Sequence, residues 1–182
     1  MDIFLVRHGE AAASWSQSSD PGLSELGREQ ARAAAVQLQP IVADDTQLIS
    51  SPLARAQETA EPLAAILEQP VAIDKVYSEI PSPVPLEQRQ TWLRQFMQQR
   101  WDEQSADLHA WRAGAYRSLA AQQRPVVVFT HFLVINAVVG QILGRPETLH
   151  FYPDNGSVTQ LRLADTELEL VELGRELQTL VN

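Results

Sequence analysis

Two histidines in this sequence each close a run of apolar residues: Ile3-Phe4-Leu5-Val6-Arg7-His8-Gly9 and Val126-Val127-Val128-Phe129-Thr130-His131. A third segment, Ser50-Ser51-Pro52-Leu53-Ala54-Arg55, follows the apolar pair Leu48-Ile49 and opens a helical pattern. Short apolar runs rich in β-branched residues read as strands buried on both faces, and ligands gather at the carboxyl ends of such strands in open α/β sheets. Two imidazoles and two guanidiniums are thereby directed at one sheet edge. Arginine forks match phosphate oxygens in pairs, and Arg55 falls in a first helical turn, where free backbone N–H groups also attract anions. These residue types point to an anion, above all a phosphoryl group, held against imidazole.

The elements that must carry these residues follow from patterning. Ile3–Val6 is a first strand, and Ala12 to Gly22 is a polar loop. Ser24 caps a helix over Glu25–Leu38 with Leu26, Ala33 and Leu38 on one face. Leu48-Ile49 is a second strand, and Ser51-Pro52 supplies the N-cap and first position of a helix reaching about Leu67. Val71-Ala72-Ile73 is a third strand, after which Pro81, Pro83 and Pro85 enforce a non-helical connector. Leu86 to Gln123 is helical with a break near Ser105, and Trp92, Trp101 and Trp111 within it read as core. Pro125–Phe129 is the clearest buried strand, and a helix follows from His131 to about Leu143. Ser157–Leu163 and Leu168–Leu173 alternate as a hairpin about Ala164-Asp165-Thr166. Alternating strands and helices predict an α/β fold: a three-layer sandwich with a mostly parallel central sheet and helices on both faces. Residues 1–182 read as one domain with a helical insertion at about 81–107 near the active site.

Composition narrows the chemistry. The chain of 182 residues is 45% hydrophobic and 20% charged, enough apolar content for a folded core. It has no cysteine, which removes thiolate zinc sites and cysteine-nucleophile phosphatase mechanisms. The single lysine, Lys75, is not in a phosphate-loop context. A net charge of −9 opposes non-specific nucleic-acid or anionic membrane binding, so an anionic ligand needs a local cationic pocket. No basic segment precedes the first apolar run, and Phe132–Leu143 is too short to span a bilayer. A cytoplasmic protein is expected, with no nucleic-acid and no membrane partner; the oligomeric state is not legible.

These blocks resemble the histidine phosphatase superfamily, of phosphoglycerate mutase-like fold, in its phosphatase branch. Arg7-His8-Gly9-Glu10 matches the signature at the end of the first strand. Leu23-Ser24-Glu25-Leu26-Gly27 through Gln30-Ala31 matches the first helix, and Ser50 to Ala60 the second block. Val128-Phe129-Thr130-His131 matches the strand before the second histidine, and Asn155 to Thr159 the entry to the last strands. The resemblance implies attack by neutral His8 on phosphorus to form a phosphohistidine. Arg7, Arg55 and His131 then bind the phosphoryl oxygens, and Glu79 is the acid that protonates the leaving alcohol. It implies no cofactor and no metal, and a small phosphorylated substrate. The sequence departs from the family at three places. Pro81-Ser82-Pro83-Val84-Pro85 replaces a segment containing glycine and tryptophan, Phe132 replaces a glycine, and Ser14 an asparagine.

The expected activity is metal-independent phosphomonoester hydrolysis of the histidine acid phosphatase type. Alternatives are a phosphohistidine-protein phosphatase, which dispenses with the glutamate, a phosphoglycerate-type mutase, and a non-catalytic phospho-ligand domain. Glu10 is a second candidate acid. His109 and His150 read as structural, and Arg89, Arg94 and Arg100 as a solvated helix face.

Overall fold

The computed structural model describes residues 1–13 and 20–177. Its elements run β1 (Asp2–Arg7), α1 (Glu25–Leu38), β2 (Gln47–Ser50), α2 (Ala54–Leu67), β3 (Val71–Ile73), α3 (Leu86–Phe96), α4 (Ala106–Ala120), β4 (Val126–Thr130), α5 (Phe132–Ile142), β5 (Val158–Ala164) and β6 (Glu167–Glu172). Six strands form one sheet in the order β3-β2-β4-β1-β5-β6. β3, β2, β4 and β1 pair in parallel, while β5 lies antiparallel to β1 and β6 antiparallel to β5. The sheet is therefore mixed. A tight turn, with Asp165 at φ 53°, joins β5 to β6, and such a turn can only connect antiparallel neighbours.

The period-two alternation of each strand divides the interior into two cores. Ile3, Leu5, Ile49, Val126 and Val128 face Ala115 and Leu119 of α4 and Val134, Ile135, Val138 and Val139 of α5. Phe4, Val6, Leu48, Val127 and Phe129 face Ala34, Ala35 and Leu38 of α1 and Ala60 and Leu63 of α2. Helices thus cover both faces, as predicted. A third cluster joins Ile80, Phe96, Trp101, Leu108, Leu133 and Ala137, with Trp92 and Trp111 packed against it.

Local differences from expectation have geometric causes. Ser24 does cap α1, accepting from the Gly27 N–H at 3.0 Å. The buried face of α1, however, is Gly27, Ala31, Ala34, Ala35 and Leu38, and Leu26 and Ala33 are exposed. Counting back from Leu38 at 100° per residue puts 35, 34, 31 and 27 in one stripe and leaves 33 and 26 more than 100° away (about 140° and 120°). Helix α2 begins at Ala54 rather than Pro52, and the Ala54 N–H is capped from outside by the Asp20 carboxylate at 2.9 Å. The expected helix break is wide: α3 ends at Phe96, a 3-10 turn covers Trp101–Glu103, and Ser105 then caps α4.

Candidate active site

His8 and His131 follow directly on the parallel neighbours β1 and β4, in register Arg7 against Thr130. Adjacent parallel strands ending level bring their next residues side by side, and the two imidazole centroids lie 5.2 Å apart. β2 is the neighbour of β4 on its other side, so the helix that follows it delivers Arg55 to the same point. The Arg55 Nε–H donates to His8 Nε2 at 3.1 Å, and Arg55 Nη2 donates to His131 Nδ1 at 3.3 Å.

The partners decide the tautomers. His8 Nδ1 meets the Gly9 carbonyl at 2.7 Å, and a carbonyl only accepts, so Nδ1 carries the proton. His8 Nε2 faces a guanidinium donor and is the bare nitrogen. His131 has the opposite arrangement: Nδ1 accepts from Arg55, and Nε2 donates to Ser51 Oγ at 2.8 Å. Relative exposures of 8% for His8, 0% for His131 and 1% for Arg55 make a second imidazole proton costly. Burial first, then Arg55 and Arg7, draws the His8 pKa down to about 3, with the Gly9 carbonyl opposing. Burial, then His8 and Arg55, also takes His131 well below the usual histidine range.

The loop bearing His8 is braced from both sides. The Gly9 N–H donates to Thr59 Oγ1 at 3.0 Å, and Thr59 is fully buried on α2. A Cβ on Gly9 would stand 2.4 Å from the Gly27 carbonyl oxygen, and one on Gly27 would stand 2.1 Å from the Glu10 carbonyl oxygen. Two glycines are therefore what lets α1 abut this loop. Glu10 is exposed and accepts from Ser24 Oγ at 2.7 Å, which ties it to the start of α1.

Arg7 donates from Nη1 to the Pro153 carbonyl at 2.8 Å, and its guanidinium lies 5.1 Å from the Phe132 ring centroid. Phe132 thus packs beside a cation. Burial lowers the Arg7 pKa to about 10, so it stays charged at neutral pH.

Glu79 is half-buried after the 3-10 turn Lys75–Tyr77, and its Oε1 accepts from the Ile80 N–H at 3.0 Å. Burial raises its pKa above the ordinary carboxylate range, opposed by the Ile80 N–H and by Arg55, Arg89 and Arg7. Thr130 Oγ1 donates to the Tyr77 carbonyl at 2.8 Å, Trp111 Nε1 to the Ser78 carbonyl at 3.1 Å, and Arg89 Nη2 to the Ile80 carbonyl at 3.0 Å. The backbone around Glu79 is held from three separate elements. All five residues singled out from the sequence, Arg7, His8, Arg55, Glu79 and His131, belong to one electrostatically connected group at the carboxyl end of the sheet.

A protein-family model, the histidine phosphatase superfamily (branch 1), matches residues 3–176. The chain belongs to that superfamily. Among curated proteins nothing matches. Solved structures with similar folds include phosphoserine phosphatase from Entamoeba histolytica bound to 3-phosphoglyceric acid, at 20% identity, 96% of each chain and a TM-score of 0.74. Mycobacterial glucosyl-3-phosphoglycerate phosphatase is another, at 24% identity over 96% of this chain and 99% of that one, with a TM-score of 0.67. At such identities the likeness establishes the histidine phosphatase fold. No helix among the described residues is long and apolar enough to cross a membrane.

Sequence reasoning missed several residues at this site. Ser51 was expected to cap a helix but is the partner of His131. Asp20 caps α2 and lies 3.9 Å from Arg55 Nη1. Arg94 and Arg100 are exposed as expected, whereas Arg89 turns inward to the backbone beside Glu79. Its position three residues into α3 was visible in the sequence, but not the direction of the helix. Ser14 lies outside the described residues.

Proposed function

We propose that the protein hydrolyses phosphomonoesters without a metal, through a phosphohistidine on His8. The observation that carries this is the fixed tautomer of His8: Nδ1–H is held by the Gly9 carbonyl and an unprotonated Nε2 faces the Arg55 guanidinium. An imidazole used only for binding has no need of a bare, desolvated nitrogen aimed at the cationic pocket.

The steps follow from the groups present. A phosphoryl group entering between Arg7, Arg55 and His131 takes hydrogen bonds from them and draws the Arg55 guanidinium onto its oxygens, which releases the His8 Nε2 lone pair. Nε2 attacks phosphorus in line as the ester P–O bond breaks, and the N–P bond forms. Glu79, whose protonated form burial favours, gives its proton to the departing alkoxide. Its carboxylate then takes a proton from water, and that water displaces His8 from phosphorus. Charge on the equatorial oxygens is met by the same arginines in both steps. An acid with a raised pKa that interacts with Arg55 and Arg7 favours an alkyl ester over a phosphoramidate, whose leaving nitrogen needs less acid help.

The test is phosphate release from an aryl phosphate in chelator, by wild type and by His8→Ala. Turnover by wild type that vanishes in the variant is the expected result. Activity that survives in His8→Ala, or that chelator abolishes, would sink the proposal.

A further inference from the structure

Phe132 follows His131 directly, where the superfamily's pattern has a glycine. Its ring is half-buried at the start of α5, and the Arg7 guanidinium lies 5.1 Å from its centroid. The Tyr152 ring packs against Phe132 as well, with the centroids 5.9 Å apart at 57°. A cation, a half-buried ring and an exposed ring therefore succeed one another outward from the phosphoryl pocket.

Tyr152 is 52% exposed, and among the described phenylalanines, tyrosines and tryptophans it is the one exposed residue. A slack backbone is not the cause. Phe151 is buried, its N–H donates to Asn136 Oδ1 at 3.3 Å, and its carbonyl accepts from Asn136 Nδ2 at 3.1 Å. The Tyr152 carbonyl accepts from the Leu177 N–H at 2.9 Å, and the Pro153 carbonyl accepts from Arg7. A segment pinned on both sides thus holds one aromatic ring in water, close to a phosphate-binding arginine. A planar apolar surface that is already in place costs little ordering when a ligand lands on it, and ring-on-ring contact adds to the burial of area. Arg7 and Glu79 feel each other's charge, so the acid serves the Arg7 side of the pocket and the alcohol it protonates departs past these rings.

We propose that Phe132 and Tyr152 form a ledge for an aromatic ring carried on the leaving alcohol, with Tyr152 the specificity-determining residue. Phe132 touches both Arg7 and Tyr152, so a ring resting on the ledge must be joined to the ester oxygen by a short aliphatic spacer. That spacer makes the leaving group an alkoxide, the kind that needs the proton of Glu79. This inference rests on the phosphomonoesterase reading above and deepens it.

The test compares 2-phenylethyl phosphate with 2-cyclohexylethyl phosphate, which share the spacer and differ in whether the ring is planar and aromatic. Wild type should show about fivefold higher kcat/KM for the phenylethyl ester. The ratio should fall toward one in Tyr152→Leu and persist in Tyr152→Phe. A ratio near one in wild type, or a ratio unmoved by Tyr152→Leu even if both rates fall, overturns the inference; the second result would make Tyr152 only a support for the segment beside Arg7. Calorimetric binding of both esters to the His8→Ala protein reads the same preference without turnover, and equal affinities there overturn it as well. The two failures separate cleanly. Hydrolysis of both esters that depends on His8, at equal kcat/KM, removes the ledge alone. Hydrolysis of neither ester, nor of any aryl phosphate, removes the reaction, and calorimetry then decides the ledge: a phenylethyl preference that Tyr152→Leu abolishes in the His8→Ala protein upholds it, and no preference overturns it.

Discussion

The phosphoryl side and the leaving-group side of this site are built differently. His8, His131 and Arg55 hang directly from strand ends and a helix start, are almost wholly buried, and bond to one another. Glu79 and Arg89 sit on a turn and a connector, are half-buried, and are held mainly through backbone carbonyls by Thr130, Trp111 and Arg89 itself. The first half is as rigid as the sheet. The second is only as well placed as its hydrogen bonds make it. In the proposed mechanism, chemistry common to every phosphomonoester therefore falls to the rigid half, and protonation of the leaving alcohol to the other.

The comparison is broken most severely at Arg55. Arg55→Ala removes the donor that holds the His8 lone pair and a stabiliser of transition-state charge, so kcat/KM should fall about a thousandfold for all esters alike. Steady-state kinetics on one aryl and one alkyl phosphate check this, and a loss confined to one ester would contradict the division. Glu79→Gln should instead separate the two: about a hundredfold loss on an alkyl phosphate, and little on a nitrophenyl phosphate whose leaving group needs no proton. The same variant should flatten the pH profile. His8, at about 3, is unprotonated across the working range, so wild-type activity falls as pH rises through the elevated Glu79 pKa and the acid loses its proton. An alkaline limb that persists in Glu79→Gln would assign that limb elsewhere.

Trp111→Phe sharpens the picture further, since it keeps an aromatic ring in the cluster and removes the N–H that donates to the Ser78 carbonyl beside the acid. A neutral hydrogen bond contributes roughly 1 kcal/mol, equivalent to about fivefold in rate. The alkyl rate should drop by about that much with the aryl rate kept. Equal losses would mean a general packing defect. The smallest effect lies away from the site. Among the described residues neither ring nitrogen of His150 finds a hydrogen-bond partner, and burial first, then Arg145, lowers its pKa below 6.5. A base that protonates more readily when unfolded weakens the fold as pH drops through its unfolded value. His150→Leu should therefore raise stability by about 1 kcal/mol near neutral pH and by more at pH 5, read from denaturant midpoints. A variant less stable than wild type at pH 5 would show that the imidazole has a partner.

The legibility of the sequence follows the same division. Strand runs ending in Arg7-His8-Gly9 and Thr130-His131 place those residues because a parallel pair in register must end level, and the apolar run marks the end. The third block places Arg55 by the same logic, although the helix starts two residues late because Asp20, from a distant loop, supplies the cap. The arginines beside His8 lower its pKa, yet burial is the larger cause, and burial is a property of what packs around a residue. Arg89 is the clearest failure. Its spacing with Arg94 and Arg100 suggests a solvated face, and nothing local indicates that the helix is set down with that corner toward Glu79.

By itself the sequence determined the order of strands and helices, the two histidines and two arginines at strand ends, and the candidate acid. These follow from periodicity and from short-range chemistry, which act between residues near in the chain. Tertiary structure alone decided which nitrogen of each histidine is bare, that Ser51 and Asp20 serve the site, and that Arg89 turns to the backbone beside Glu79. Apart from the Gly9 carbonyl that holds His8 Nδ1, each of these depends on a contact between groups 30 or more residues apart or on the docking angle of a helix, and neither is encoded in any one segment.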